Sequence, residues 1–373
     1  MAFTMKKTRQ FFILLLCFLF TIAGCFETTK AMDFSSSIWS EESSSELLND
    51  DSMISLSKAS FFEESSVSLP STKESLSVSI DNQPSEKTES FLFFTDPHLY
   101  YPNSGYDLNE NWYNSYLPFI QQTAKEESTE FVLCGGDLLN NGDNKEQAFY
   151  KINFFAKTFY SSFDNFYILV GNHDTNYQGD TYISSNDYKS CMLSQEEINL
   201  ALNDGRKSYY SFSTHFSQHY CFDSGIDWDS DYMNDYRWEQ IEWFANDLLL
   251  NEAQNISLFI HIAFFGEREK SLTAFMKNIG VIVEAFNKKE HVMLNDCSYD
   301  YSSSFGHIDF IQAGHLHQDM NDVLCGGIPV IITTSFTPFG GAKPTLDIVS
   351  VNYENRIITC KRLGEGENRT FAI

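Results

Sequence analysis

The chain has 373 residues, a formal net charge of −26 and 42% hydrophobic residues, which allows one to three domains with a substantial core. So acidic a chain lacks the broad Lys/Arg surface that nucleic-acid backbones require, which argues against general DNA or RNA binding, and an acidic shell disfavours anionic lipid surfaces. A phosphate-bearing ligand would need local positive charge, and bound metal is the obvious source.

From the N-terminus, Lys6, Lys7 and Arg9 precede an uncharged run of 14 residues, 11–24. The run is shorter than the roughly 20 apolar residues a bilayer-spanning helix needs, and fits the apolar region of an export signal covering residues 1–24. It ends Ile22-Ala23-Gly24-Cys25, which resembles a bacterial lipobox. The resemblance implies that the Cys25 thiol takes a lipid and holds the exported chain at the extracytoplasmic face of a membrane.

Residues 25–90 have a different composition. Twenty serines fall between Ser35 and Ser90, and acidic residues outnumber lysines 13 to 4 over 26–90. A segment so poor in apolar residues cannot offset its ordering entropy and is expected to be a disordered tether. As a flexible coil it would span on the order of 45 Å. The signal and tether carry +3 and −9, which leaves −20 on residues 91–373.

Residues 91–373 read as one α/β domain. Short apolar runs predict buried strands at 91–95, 131–134, 166–170, 256–261, 308–313, 329–333 and 346–351. Residues 208–212 and 219–223 predict a further strand pair. Amphipathic stretches at 109–127, 145–160, 237–253 and 272–287 predict helices between them. This alternation argues for layered sheets covered by helices. Outside the N-terminal segment the cysteines number six, an even count that fixes no disulfide pairing; Cys134, behind Phe131-Val132-Leu133, is expected as a buried strand thiol.

The predicted strand ends carry the chemistry. The first ends Thr95-Asp96-Pro97-His98, the second Gly135-Gly136-Asp137 and the third Gly171-Asn172-His173-Asp174; a later one ends in His261, and another in Gly314-His315-Leu316-His317. Ligands of open α/β sheets bind beyond the carboxyl ends of strands. Five such ends deliver Asp, His and Asn, often behind a glycine expected to let the backbone turn sharply. Imidazole with carboxylate suits Mn, Fe or Zn, and a bridging carboxylate suits a pair of divalent ions. Two such ions with Asp96, Asp137 and one hydroxide leave a site charge of about +1, since Asn172 adds none.

The order D-x-H, G-D, G-N-H-D, H, G-H-x-H is similar to that of the calcineurin-like metallophosphoesterases. The similarity covers residues 91 to about 320. It implies a four-layer α/β/β/α sandwich, with one metal on Asp96, His98, Asp137 and His317 and a second on Asp137, Asn172, His261 and His315. It further implies that His173 faces the leaving group and that Asp174 orients the His173 ring. The activity implied is hydrolysis of a phosphomonoester or phosphodiester by in-line attack of a hydroxide bridging the metals. The alternative reading is a surface lipoprotein that uses the same fold to bind a ligand without turnover.

Two departures bear on the resemblance. Ile262-Ala263 follows His261 where many relatives carry a proline two residues on, and Asn140 stands where purple acid phosphatases place a metal-binding tyrosine. His215 and His219 are four apart, but their neighbours alternate as in a hairpin; His291 and His307 read as surface or packing residues. Asp223-Ser224-Gly225 closes a strand near the mouth of the expected site.

Overall fold

The structure is a computed structural model. It describes residues 87–99, 110–140, 144–175, 183, 208–225, 235–263, 270–324, 327–336 and 344–373, all within one compact unit, Val78–Ile373. The signal, Cys25 and nearly all of the tether lie outside the described residues. No helix among the described residues is long and apolar enough to cross a membrane.

The first sheet contains β1 (Thr88–Phe94), β2 (Phe131–Cys134), β3 (Phe166–Ile168), β12 (Leu346–Asn352), β13 (Ile357–Leu363) and β14 (Arg369–Ala372). Their order is β14-β13-β12-β1-β2-β3, with β1, β2 and β3 parallel and the other pairings antiparallel. The second sheet contains β4 (Tyr210–Ser213), β5 (Ser217–Phe222), β6 (Asn255–Ile260), β9 (His307–Ala313), β10 (Met320–Val323) and β11 (Pro329–Ile332), in the order β10-β11-β9-β6-β5-β4. In it β5, β6, β9 and β11 are parallel. β7 (His291–Leu294) and β8 (Cys297–Asp300) form a separate hairpin.

Period-2 alternation along each strand gives the sheets two buried faces. In β1, Phe91 and Phe93 point to the second sheet; Leu92 and Phe94 point outward. The outward face packs α2 (Lys145–Tyr160) through Ile152, Phe155 and Phe159, with Ile120 from α1 (Glu110–Glu126). The second sheet is covered through Phe244, Leu248, Phe275 and Phe286 of α3 (Asp235–Leu250) and α4 (Lys270–Lys288). The layers are therefore helix, sheet, sheet, helix, as the resemblance implied. The space between the sheets is aromatic: Phe91 stacks on Phe131 at 4.7 Å and meets Phe259 edge-on at 5.5 Å.

The helix Lys145–Tyr160 begins where a side chain caps it. Asn144 Oδ1 accepts from the Gln147 amide at 3.0 Å, and Gln147 Oε1 accepts from the Asn144 amide at 3.3 Å, a reciprocal cap at the predicted start of α2. Residues 208–223 form the expected hairpin, with His215 in its turn and His219 on β5. Cys134, Cys221, Cys297 and Cys360 are free thiols, and Cys134 is a buried strand residue.

One boundary differs from expectation. β1 starts at Thr88, inside the segment assigned to the tether. Glu89 resembles the acidic tether in sequence, yet its side chain is wholly buried. Ser217 Oγ donates to it at 2.7 Å, Thr214 Oγ1 also donates, and His219 Nε2 lies 3.3 Å away. Burial alone would raise its pKa, but the His219, Thr214 and Ser217 partners hold it below the ordinary value. Glu89 and His219 thus join the two sheets through a buried polar contact.

Candidate metal centre

All nine expected site residues come together at the carboxyl ends of the parallel strands. Asp96 and His98 follow β1, Asp137 follows β2, Asn172, His173 and Asp174 follow β3, His261 follows β6, and His315 and His317 follow β9. Backbone bonds extend the sheet pairing into these loops: the amides of Asp96, His98 and Leu99 donate to the carbonyls of Gly136, Asp137 and Leu138, and that of Gly314 to His261.

The turns are made differently from expectation. Asp96, His98, Asp137, His315 and His317 themselves have positive φ, between 37° and 74°. Such backbone costs about 1–3 kcal/mol at each non-glycine residue and persists only where the surroundings enforce it. Gly136 shares the left-handed turn, at φ +94°, whereas Gly171 supplies space instead: a Cβ there would lie 2.1 Å from Asp137 Oδ1.

The ligand atoms fall into groups lying within 4.8 Å of one another. One is Asp96, His98 and His317; another is Asp137, His261 and His315; a third joins His98, Asp137 and His173. Asp137 therefore stands between the first two clusters, its Oδ2 lying 3.0 Å from His261 Nε2 and 4.0 Å from His98 Nε2. His173 Nε2 is also 4.0 Å from that oxygen, so this ring adjoins the ligands closely, with its side chain a quarter exposed.

Backbone acceptors orient two of the imidazoles. His98 Nδ1 donates to the Leu139 carbonyl at 2.8 Å and His261 Nδ1 to the Gly135 carbonyl at 2.7 Å, which leaves both Nε2 atoms facing the cluster. Asp96 is held through Oδ2, which accepts from Thr95 Oγ1 at 2.7 Å and from the His315 amide at 3.0 Å; its Oδ1 faces His317 Nε2 at 3.1 Å. Asp137 Oδ1 accepts from the His173 amide at 2.8 Å.

Within the cluster, three buried atoms lack a hydrogen bond: Asp137 Oδ2, Asn172 Oδ1 and His261 Nε2. His261 Nε2 and Asp137 Oδ2 approach each other but lack hydrogen-bond geometry. Buried polar atoms are rarely left unpaired, and these are three different donor atoms of the kind a divalent cation takes. The residues thus fit a metal.

Electrostatics favour a cation as well. Burial would depress His261, but the Asp137 and Asp96 carboxylates overcome it and raise its pKa to about 10. Burial, then His261, lowers His315 to about 4, leaving a neutral imidazole with a lone pair to give. Burial lowers His173, with Asp137 opposing.

Asp174 was expected to orient His173, and its carboxylate bonds to main chain. Its carboxylate is buried and accepts four backbone N–H groups: Asp137 at 2.9 Å and Gly171 at 2.8 Å on Oδ2, Leu138 at 2.7 Å and Leu139 at 3.2 Å on Oδ1. Both oxygens accept from main chain, which ties Asp174 to the Asp137 loop. Burial, followed by the Asp137 charge, pushes its carboxyl up to about 7, and the Gly171 and Leu139 amides pull the other way. The family resemblance implied the imidazole; amides 35–37 residues away carry no side-chain signal. The same holds for Ser335, whose Oγ donates to the Asp96 carbonyl at 2.8 Å.

Two facing sheets that bring His, Asp and Asn from five strand ends to one buried cluster define a metal-ligating α/β sandwich. The sequence profile of the calcineurin-like phosphoesterases matches residues 90–319, more than half of the chain, and the chain belongs to that family. A dimetal phosphatase from Danio rerio has a similar fold, with a TM-score of 0.51 and 13% identity, covering 76% of this chain and 98% of that one. Calcineurin-like phosphoesterase YfkN from Bacillus subtilis aligns with a TM-score of 0.38 and 12% identity, over 77% of this chain and 91% of its own. None of the curated proteins matches this chain in sequence.

Proposed function

We propose that the chain hydrolyses phosphoesters with a pair of divalent cations, one held by Asp96, His98, Asp137 and His317 and the other by Asp137, Asn172, His261 and His315. The observation that carries this reading is the convergence in a buried cluster of Asp137 Oδ2, Asn172 Oδ1 and His261 Nε2, none of them hydrogen-bonded. Family membership and the dimetal phosphatase fold support it. When bound, the ions supply Lewis acidity toward phosphoryl oxygens and a hydroxide nucleophile for in-line attack.

The chain's own residues do the rest. His98 and His261 present Nε2 with the opposite nitrogen fixed on a carbonyl, so the donor set is preorganised. His173 stands partly exposed beside Asp137, where its Nε2 can hold a proton for a leaving oxygen. Asp174 keeps the Asp137 loop in shape. The full chain, purified in detergent, should turn over p-nitrophenyl phosphate or bis-p-nitrophenyl phosphate with Mn²⁺ or Zn²⁺ and stop on chelation. The ratio of the two rates separates monoesterase from diesterase. Two tightly bound metals with no turnover of either substrate would favour the ligand-binding lipoprotein instead.

The export signal and lipobox motivate a second proposal, that the domain is tethered outside the cell membrane through Cys25. Cys25→Ser should move the protein from the membrane fraction to the soluble extracytoplasmic fraction. Retention of the variant in the membrane would refute lipid anchoring at this residue.

A further inference from the structure

The ligand loop after β9 is fastened at both ends, and its far fastening lies outside the metal cluster. At the near end, the Gly314 amide donates to the His261 carbonyl at 3.1 Å and that of His315 to Asp96 Oδ2 at 3.0 Å. At the far end, Asp319 is gripped by Arg362 of β13: Nη2 donates to Oδ1 at 2.6 Å and Nη1 to Oδ2 at 2.7 Å. Asp319 Oδ1 also accepts from the Thr334 amide at 3.1 Å.

Every N–H of the Arg362 guanidinium is used. Nε donates to Asp347 Oδ1 at 2.8 Å, the second Nη2 hydrogen faces Asp347 Oδ2 at 3.2 Å, and the second Nη1 hydrogen goes to the Glu365 carbonyl at 2.7 Å. Arg369 completes the group, donating to Asp347 Oδ2 at 2.7 Å and to the Ile332 carbonyl at 2.7 Å. Two arginines and two aspartates balance in charge, and the Arg362 side chain is only 2% exposed. Thr333 and Gln312 extend the network into the second sheet, Gln312 Nε2 donating to Thr333 Oγ1 and Thr333 Oγ1 to Asp347 Oδ2.

A buried ion network is seldom a net gain over apolar packing, so its contribution is better sought in geometry. The residues that need fixed geometry lie next to it. His315 and His317 both hold left-handed backbone, at φ 74° and 51°, and must be held there by their surroundings. Asp319 is two residues beyond His317, and a forked guanidinium fixes both its position and its orientation, which a point charge does not.

We propose that Arg362 is a positioning residue for the metal centre, acting through Asp319 to hold the His317 imidazole in ligating geometry. This rests on the reading of Asp96, His98, Asp137 and His317 as one metal site. Supporting partners of this kind change metal affinity by roughly 10- to 100-fold. The full chain and Arg362→Lys are titrated with Mn²⁺ by calorimetry, with Arg356→Lys as control. Arg356 makes a comparable ion pair with Asp309 at 2.8 Å, but near the start of β9, away from the ligand loop.

Arg362→Lys is expected to weaken one of two Mn²⁺ sites roughly 10- to 100-fold, and Arg356→Lys neither, whatever each does to the unfolding midpoint. In a His317→Ala background the Arg362→Lys change should add less than about twofold, because the group it positions is gone. Should Arg362→Lys fail to fold, Asp319→Asn breaks the same fork at a partly exposed residue and is expected to give the same loss. Unchanged affinities in the folded variants, or an equal loss in Arg356→Lys, would overturn the positioning role while leaving the metal site standing. If the unaltered chain takes up no Mn²⁺, the metal-site reading fails and this inference with it.

Discussion

Asp137→Asn should lower kcat/KM by on the order of 10²–10³-fold or more while leaving the fold in place. The two oxygens of Asp137 have separate duties, which makes the substitution clean. Oδ1 accepts from the His173 amide at 2.8 Å, and an asparagine carbonyl oxygen keeps that bond. Oδ2 is buried, accepts no hydrogen bond and is shared between the clusters, facing His261 Nε2 as an ion pair at 3.0 Å. In asparagine that position becomes an NH₂ group, which cannot ligate a cation and carries no charge. Both metal sites lose a ligand, so metal content measured by atomic emission should fall below two per chain. The metal-free variant should still unfold cooperatively, with a lower denaturation midpoint because the buried Asp137–His261 ion pair is lost. Full activity in a variant that still binds two ions would sink the bridging role.

The strand ends were legible because each places chemically distinctive residues behind a hydrophobic run. Phe131-Val132-Leu133-Cys134 reads as a strand from β-branched and aromatic content, and the predicted bounds match β2. The strands that escaped prediction are those whose pattern polar residues dilute. β13, Ile357–Leu363, alternates buried and exposed positions, but Lys361 and Arg362 make its last turn look like surface. β10, Met320–Val323, contains Asn321 and Asp322 and lies at the edge of its sheet. The hairpin of β7 and β8 has strands of only four residues that expose alternate positions, too short for an alternating pattern to announce it.

Within the centre, residue types were legible and backbone conformations were not. The five ligands with positive φ follow from loop closure against neighbouring strands, a tertiary effect with no local sequence signature. Charged residues far from the motifs were equally silent. Glu89 fell within the expected tether and Arg362 carried no signal, because burial depends on partners many residues distant: Glu89 meets Ser217, and Arg362 meets Asp319. Paired charges of this kind are the ones composition misreads, since an unpaired charge would not be buried at all.

Asp174→Ala should destabilise the domain by roughly 3–5 kcal/mol, more than most single substitutions, because it removes the acceptor of four buried main-chain donors at once. The amides of Asp137, Leu138, Leu139 and Gly171 have their side-chain acceptor in this one carboxylate. A buried N–H left unpaired costs about 1–3 kcal/mol, and relaxation of the loop recovers part of the total. Asp174→Asn should cost less, since one carbonyl oxygen remains to accept while the NH₂ group opposes the others. The measurement is the urea midpoint of the metal-free protein, where catalysis does not enter. The decisive contrast is with His173. If Asp174 served the imidazole, Asp174→Ala would leave the midpoint nearly unchanged, and its effect on activity would vanish in a His173→Ala background. If it holds the Asp137 loop, the same loss of stability appears with or without the His173 ring. The four amide distances predict the second outcome.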